Sequence, residues 1–393
     1  MNKFSKRQSY KSAISLLNEL LKENPSNAET ESHRFNGFGA MKELLLPLDN
    51  RSAWTAEDLR YENEVLEFHR LLEAHFGTEY KSAVASLKNG TLSSFYTPSF
   101  IVEPLTTALR DNLENIQSIL EPSAGIGNFI SAIKTAFPES SITAIEKDHT
   151  TYKILKSSHP DVEAIHSGYE NFKNRNFDLV VSNIPFGNIS VYDDQMFREA
   201  VPAKIKATTR IHNYYFVKTL DNLKPGGTLA FITSNGLMDS PGNKEVREYL
   251  MKNADLVTAI RLPNNAFESA GTYPVTDIII LQKNTRKGNA TASEKNFIES
   301  SKLNVPDEKG LSVEVDVSTY YKENPDNVLG TISAGGQYRG DSLDVVPKQN
   351  TDEEFIRDSL TSLINASFNG AKPTLRTLVL KPSFKTISIP TEA

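Results

Sequence analysis

A doubly wound α/β domain with a mostly parallel sheet is the fold class this sequence predicts, and three observations predict it. From Pro98 onward, short apolar runs alternate with helix-like segments at the spacing of strand–helix–strand units. A glycine turn, Gly125-Ile126-Gly127, stands where one apolar run gives way to a helix-like one, the junction at which such folds let a ligand approach the backbone. The last two apolar runs are joined by a short segment instead of a long helix, which predicts an antiparallel strand at one edge.

The elements follow in order. Residues 1–94 read as a helical N-terminal region. Tyr10 to Glu23 places Ala13, Ile14, Leu16, Leu17, Leu20 and Leu21 at helical spacing and stops before Asn24-Pro25, and Ala56 to Phe76 repeats the pattern with charges on the other face. In residues 95–283, strands are predicted at Ile116–Leu120, Ser141–Ile145, Asp178–Ser182, Thr228–Ser234, Leu256–Leu262 and Thr276–Gln282, with helices at Phe129–Ala136 and His212–Leu223 among those between them. Residues 284–393 form a small C-terminal extension. There Asn284–Asn296 reads as loop, Val313–Val317 as strand, Gly330–Pro347 as loop or hairpin, and Thr351–Phe368 as a capped amphipathic helix. The tail from Pro373 is basic and β-prone, and no task is assigned to it.

Composition narrows the class. With 38% apolar and 23% charged residues the chain is ordinary for a folded protein, and no run approaches a membrane span. Lys3, Lys6 and Arg7 make the N-terminus basic without an apolar signal core behind them, and cysteine is absent. Disulfides, a thiol nucleophile and cysteine-held metals are therefore excluded, and a reducing cytoplasm is the expected location. A net charge of −6 means that any contact with nucleic acid must use a local patch.

The chemistry begins at Glu121-Pro122-Ser123-Ala124-Gly125-Ile126-Gly127-Asn128-Phe129. The next strand ends at Glu146, 21 residues after Gly125 (146 − 125), where a carboxylate is placed to accept from ribose hydroxyls. Together they point to a nucleoside-bearing cofactor. A dinucleotide site would want a third glycine and no acid at its opening. Glu121-Pro122 instead resembles the turn that binds S-adenosylmethionine, and the acid suits that cofactor's sulfonium and ammonium groups, so S-adenosylmethionine is the cofactor the resemblance implies. A second signal is the strand from Phe177 ending in Asn183-Ile184-Pro185-Phe186. An Asn side-chain oxygen and a neighbouring carbonyl can both accept from one planar amino group, and Phe186 offers a face on which its base can stack.

These motifs, in this order, resemble the N6-adenine-specific DNA methyltransferases, whose catalytic motif is Asn/Asp-Pro-Pro-Tyr/Phe. Phe95-Tyr96-Thr97-Pro98 is similar to that family's cofactor-carboxylate motif, and its place before the glycine turn matches the gamma arrangement. His212-Asn213-Tyr214-Tyr215-Phe216, Lys224-Pro225-Gly226-Gly227 and Leu262-Pro263 also resemble type I modification subunits and methylase regions of mobile-element methylase–helicase proteins. The resemblance covers Phe95 to Lys283. It implies a seven-stranded Rossmann-like sheet and S-adenosylmethionine at Thr97, Pro98, Glu121, Pro122, Ala124, Gly125, Gly127, Asn128, Phe129 and Glu146. It further implies methyl transfer to adenine N6 on a flipped base at Asn183, Ile184, Pro185 and Phe186. Two departures stand out: Ile184 replaces the usual proline, and the aspartate that reads the cofactor adenine is missing, with Glu170 or a backbone group in that stretch as its substitute and Tyr169 placed to pack on the adenine.

Arg198, Lys204, Lys206, Arg210 and Lys218 outweigh Glu199 by +4 just after this motif, and the first four are the candidate wall for double-stranded DNA. His212 reads as a packing or phosphate-side residue, and no metal site is expected. Only 110 residues (393 − 283) follow the catalytic region, too few for an ordinary recognition domain. Recognition is then weak, or helped by the N-terminal helices, or supplied by a separate specificity, helicase or nuclease polypeptide. The competing readings are an RNA-adenine or protein-glutamine methyltransferase and a non-catalytic DNA- or cofactor-binding protein of a mobile element or defence system.

Overall fold

A computed structural model of the protein describes residues 43–90, 97–173, 175–270, 272–335, 342–349 and 351–370, with scattered positions from 10 to 21. Its centre is a sheet of seven strands: β1 (Ser118–Glu121), β2 (Ser141–Glu146), β3 (Glu163–His166), β4 (Phe177–Asn183), β5 (Leu223–Ser234), β6 (Ala254–Leu262) and β7 (Thr276–Lys283). They lie in the order β3-β2-β1-β4-β5-β7-β6. Neighbours pair in parallel except β7, which is antiparallel to β5 and β6. The predicted antiparallel closing strand is thus present, inserted one place in from the edge.

The central strands are continuous apolar runs because both of their faces are covered. Leu179 and Val181 of β4 pack on one side with Ile119, Ile232 and Ile278, while Val180 packs on the other with Leu120, Phe216 and Phe231. β3 was not expected as a strand: Glu163-Ala-Ile-His166 sits at the sheet edge, is only partly buried, and carries no apolar run. The sequence signal there is too short and too polar to read.

The C-terminal extension differs most from expectation. The segment 284–296 is not all loop, since a helix, Ala292–Ile298, begins inside it with a capping box between Thr291 and Glu294. β9 (Ser312–Ser318) contains the predicted strand and pairs antiparallel with an unexpected β8 (Ser300–Pro306). β10 (Thr331–Ala334) and β11 (Leu343–Val346) form the hairpin. The terminal helix runs Glu353–Phe368, capped by Asp352 and not by Thr351. Its Ile356, Leu360, Leu363 and Ile364 share one core with Ile101, Leu105 and Leu109 of the helix Ser99–Asn112. The tail from Pro373 lies outside the described residues.

At the other end, the helix predicted from Ala56 starts at Glu62, after a short 3-10 turn at Asp58–Tyr61. Val65, Phe68 and Leu72 pack with Tyr10, Ile14 and Leu17, and the same cluster includes Ile126 of the glycine turn and Ile154. Lys153 lies 4.6 Å from the Phe76 ring centre, and His149 and Lys153 reach Glu79. The N-terminal helices therefore brace the back of the turn.

Candidate functional site

Loops leaving the carboxyl ends of β1, β2 and β4 meet in one cavity of about 680 Å³, the crevice that open α/β sheets offer to ligands. Its wall includes eleven of the residues singled out in the sequence: Thr97, Pro122, Ala124, Gly125, Asn128, Phe129, Glu146, Tyr169, Glu170, Asn183 and Pro185. Glu121, Gly127 and Ile184 are buried around it without lining it, and Pro98 caps the helix Ser99–Asn112. Phe95 and Tyr96 lie outside the described residues.

The turn after β1 is held by its own backbone. Gly125 and Gly127 take φ values of 57° and 99°, and a Cβ at Gly127 would sit 2.5 Å from His159 Nε2, so both backbone angle and space demand glycine there. The Ala124 N–H donates to the Ile145 carbonyl at 2.9 Å. Glu146 accepts from the N–H of Gly125 at 2.8 Å and of Asp148 at 2.6 Å. The acid at the end of β2 thus ties two loops together as well as facing the cavity.

Electrostatically the site favours a cation. Burial pushes the Glu121 carboxyl up to about 8, against the opposing pull of the nearby Ser182 hydroxyl and of the Ser123 N–H, which donates to it at 3.3 Å, and burial raises Glu146 to about 6. A positive ligand would let both ionise. Thr97 Oγ1 and Asn128 Oδ1 are buried without a hydrogen-bond partner among the described residues. An amino-acid end carrying both ammonium and carboxylate suits that donor–acceptor pair.

At the end of β4 the chain turns away. The Ile184 N–H donates to the Ile232 carbonyl at 3.1 Å and the side chain is in the core. A proline could not make that bond, so this chain uses position 184 to extend the β4–β5 ladder. Asn183 faces the cavity, whereas Phe186 borders a separate groove of about 390 Å³ with Arg210, His212 and Tyr273. The turn Asn183–Phe186 therefore stands between two openings.

Tyr169 is fully buried, and its hydroxyl bonds Thr219 and Asn222, so most of its ring belongs to the core. Glu170 pairs with Lys147 at 2.8 Å at the cavity rim.

The basic segment is not a uniform wall. Lys204 must be removed from the candidates for DNA, because it is buried and paired with Glu199 at 2.5 Å and Asp221 at 2.7 Å. Lys218 is likewise buried, 2.9 Å from Asp193, which also accepts from the Tyr214 hydroxyl at 2.7 Å. Arg198 pairs at the surface with Asp194, Lys206 is exposed and Arg210 half-buried. A charge count along the chain cannot see acids that fold in from Asp193 and Asp221.

The structure adds residues the sequence did not single out: Lys147, Asp148, Thr151, and Ile189, Ser190 and Val191 on the cavity rim. Asp148 caps the helix His149–Ser158 through the Thr151 N–H, a pattern readable directly after Glu146. Exposed Tyr192 stacks on exposed Phe197 with ring centres 5.2 Å apart.

Comparison with known proteins identifies the chain's family. The profile of the N-6 DNA Methylase family matches residues 75–314. The chain is 29% identical over 201 residues to Defense against restriction protein B of Escherichia phage P1, covering 49% of this chain and 8% of that protein. It is 25% identical over 205 residues to the Type II methyltransferase M.AccI of Acinetobacter calcoaceticus, covering 49% and 38%. It thus spans less than half the length of either relative. A type I restriction-modification methyltransferase subunit from Streptococcus thermophilus superimposes over 72% of this chain and 70% of its own, with 16% identity and a TM-score of 0.42.

Proposed function

Because the chain belongs to the N-6 DNA methylase family, we propose that it is an S-adenosylmethionine-dependent methyltransferase acting on adenine N6 in DNA. One observation carries this reading: the Asn183 turn opens onto the same cavity as the glycine turn and Glu146. A methyl donor held by one set of residues would then lie beside the acceptors that hold the amine.

Glu146 is placed to accept from ribose hydroxyls, Thr97 and Asn128 to meet the amino-acid end, and Glu121, buried behind the wall, to favour positive charge in the cavity. When bound, the cofactor supplies an electrophilic methyl group on a sulfonium. Asn183 and the Ile184 carbonyl accept from the adenine amine, direct its lone pair toward the cavity and polarise it for in-line transfer. Phe186 supports the ring face in the neighbouring groove. Positioning accounts for most of the acceleration, and the base must first leave the duplex stack, at a cost of a few kcal/mol. Lys206, Arg210 and Arg198 are the residues left to follow phosphates.

The test is transfer of labelled methyl to unmethylated double-stranded DNA, with N6-methyladenine identified by mass spectrometry. Asn183→Ala is expected to cost roughly 100- to 1,000-fold, the scale of removing one polar contact made in the transition state. Label on RNA or protein but not on DNA would overturn the substrate assignment. Unchanged transfer by the variant would overturn the site.

A further inference from the structure

The groove beyond the Asn183–Phe186 turn borders a buried polar atom that neither the fold, among the described residues, nor the transfer step uses. His212 is 2% exposed, and its Nδ1 accepts from the Gly187 N–H at 3.5 Å. With Nδ1 as acceptor, the proton of the neutral ring is on Nε2. Burial, reinforced by Arg210, lowers the imidazole pKa to about 4, so the ring is neutral at physiological pH. Nε2 has no hydrogen-bond partner among the described residues. Buried donors are almost always paired, so an unpaired one bordering a groove points to a ligand.

Gly236 sharpens the point. It borders the same groove, and a Cβ there would sit 3.5 Å from His212 Nε2. Its backbone is not in the left-handed region, so this position does not need glycine for its conformation. What glycine contributes is the missing side chain: a Cβ would fill the space between the groove and the buried Nε2.

We propose that His212 is a base-reading residue, whose Nε2–H donates to a ring nitrogen of the purine presented to Asn183. This rests on the DNA-adenine reading above. Adenine suits such a donor because its ring nitrogens N1, N3 and N7 are all acceptors. Phe186, on the same groove, covers the ring face while His212 addresses an edge.

The experiment uses the full chain and synthetic duplexes built on the site found in the transfer assay. The reacting position carries adenine or its 1-deaza, 3-deaza or 7-deaza analogue, each of which lacks one acceptor. Wild type is expected to lose about tenfold in rate on one analogue, the scale of one buried hydrogen bond. His212→Asn, whose amide reaches only the Nδ1 position, is expected to lose about tenfold on adenine and nothing further on that analogue. His212→Gln, whose amide nitrogen reaches the Nε2 position, is expected to stay within about threefold of wild type. Gly236→Ala keeps the histidine but places a methyl group against Nε2 on the groove side, and is expected to slow transfer with its melting temperature unchanged.

Wild type indifferent to all three analogues would overturn the proposal. So would a His212→Asn loss that multiplies equally with every analogue, the signature of a structural role, or wild-type rates for Gly236→Ala. If wild type labels no DNA, the preceding reading fails and this one falls with it. An active wild type with indifferent analogues overturns this one alone.

Discussion

Near pH 7 Glu121 mostly keeps its proton because burial costs the carboxylate more than Ser182 and Ser123 return. A carboxyl whose folded-state pKa is raised contributes stability at low pH, and that contribution is lost as pH rises through the folded value. The ligand-free protein is therefore expected to lose stability between about pH 4.5 and 8. Glu121→Gln should flatten this slope in melting curves taken across the window. The same residue predicts proton release when a cation binds. Calorimetry of S-adenosylmethionine near pH 7 should give enthalpies that change with the ionisation heat of the buffer, and buffer-independent heats would count against the assignment. Lys204 and Lys206 make a contrast two positions apart. Lys204→Met strands the partly buried carboxylates of Asp221 and Glu199 and should cost about 3 kcal/mol in urea unfolding. Lys206→Ala, at an exposed position, should stay within about 0.5 kcal/mol and weaken DNA binding instead.

Among elements, position 184 links β4 to β5. Ile184→Pro removes the bond to Ile232 and a buried side chain, so it is expected to cost about 2–3 kcal/mol in stability. The 184 carbonyl survives, so methyl transfer per folded molecule should fall by no more than about tenfold. The helix Glu353–Phe368 is an equally specific case: Leu360 is fully buried against the helix Ser99–Asn112, and Leu360→Ala should cost about 2–5 kcal/mol in urea unfolding. Elements with both faces buried were readable from the chain, since β4 and β7 carry unbroken apolar runs at 179–181 and 278–281. So was the candidate site where geometry is local, as in Gly125, Gly127 and Asn183. What could not be read depends on distant partners. β3 is a strand because β2 offers it an edge, the helix Ala292–Ile298 follows from one capping box, and Lys204 lost its surface role to Asp221. His212 looked ambiguous because only the fold brings Gly187 and Gly236 to its two nitrogens.

For the molecule as a whole, a net charge of −6 confines attraction for DNA to a small surface. With Lys204 and Lys218 committed to internal acids, Arg198, Lys206 and Arg210 are the segment's remaining cations, and Arg198 is shared with Asp194. Binding should therefore depend on salt with a shallow slope, about 2–3 in log K against log salt, as for two or three phosphates. A slope near 6 or above would require a cationic surface outside this segment.

The order of strands also governs how such a chain is made. β6 is synthesised before β7, yet β7 is its sheet neighbour and separates it from β5. Once Leu262 has left the ribosome but β7 has not, β6 has no strand to pair with, and Arg261 has Asp239 within reach but not yet Asp277. The exposed edge of β5 and the unpartnered β6 persist until Lys283 has cleared the ribosome exit tunnel. That interval, and not the earlier parallel half, is when the growing chain is most open to wrong strand pairing and to capture by a holding chaperone.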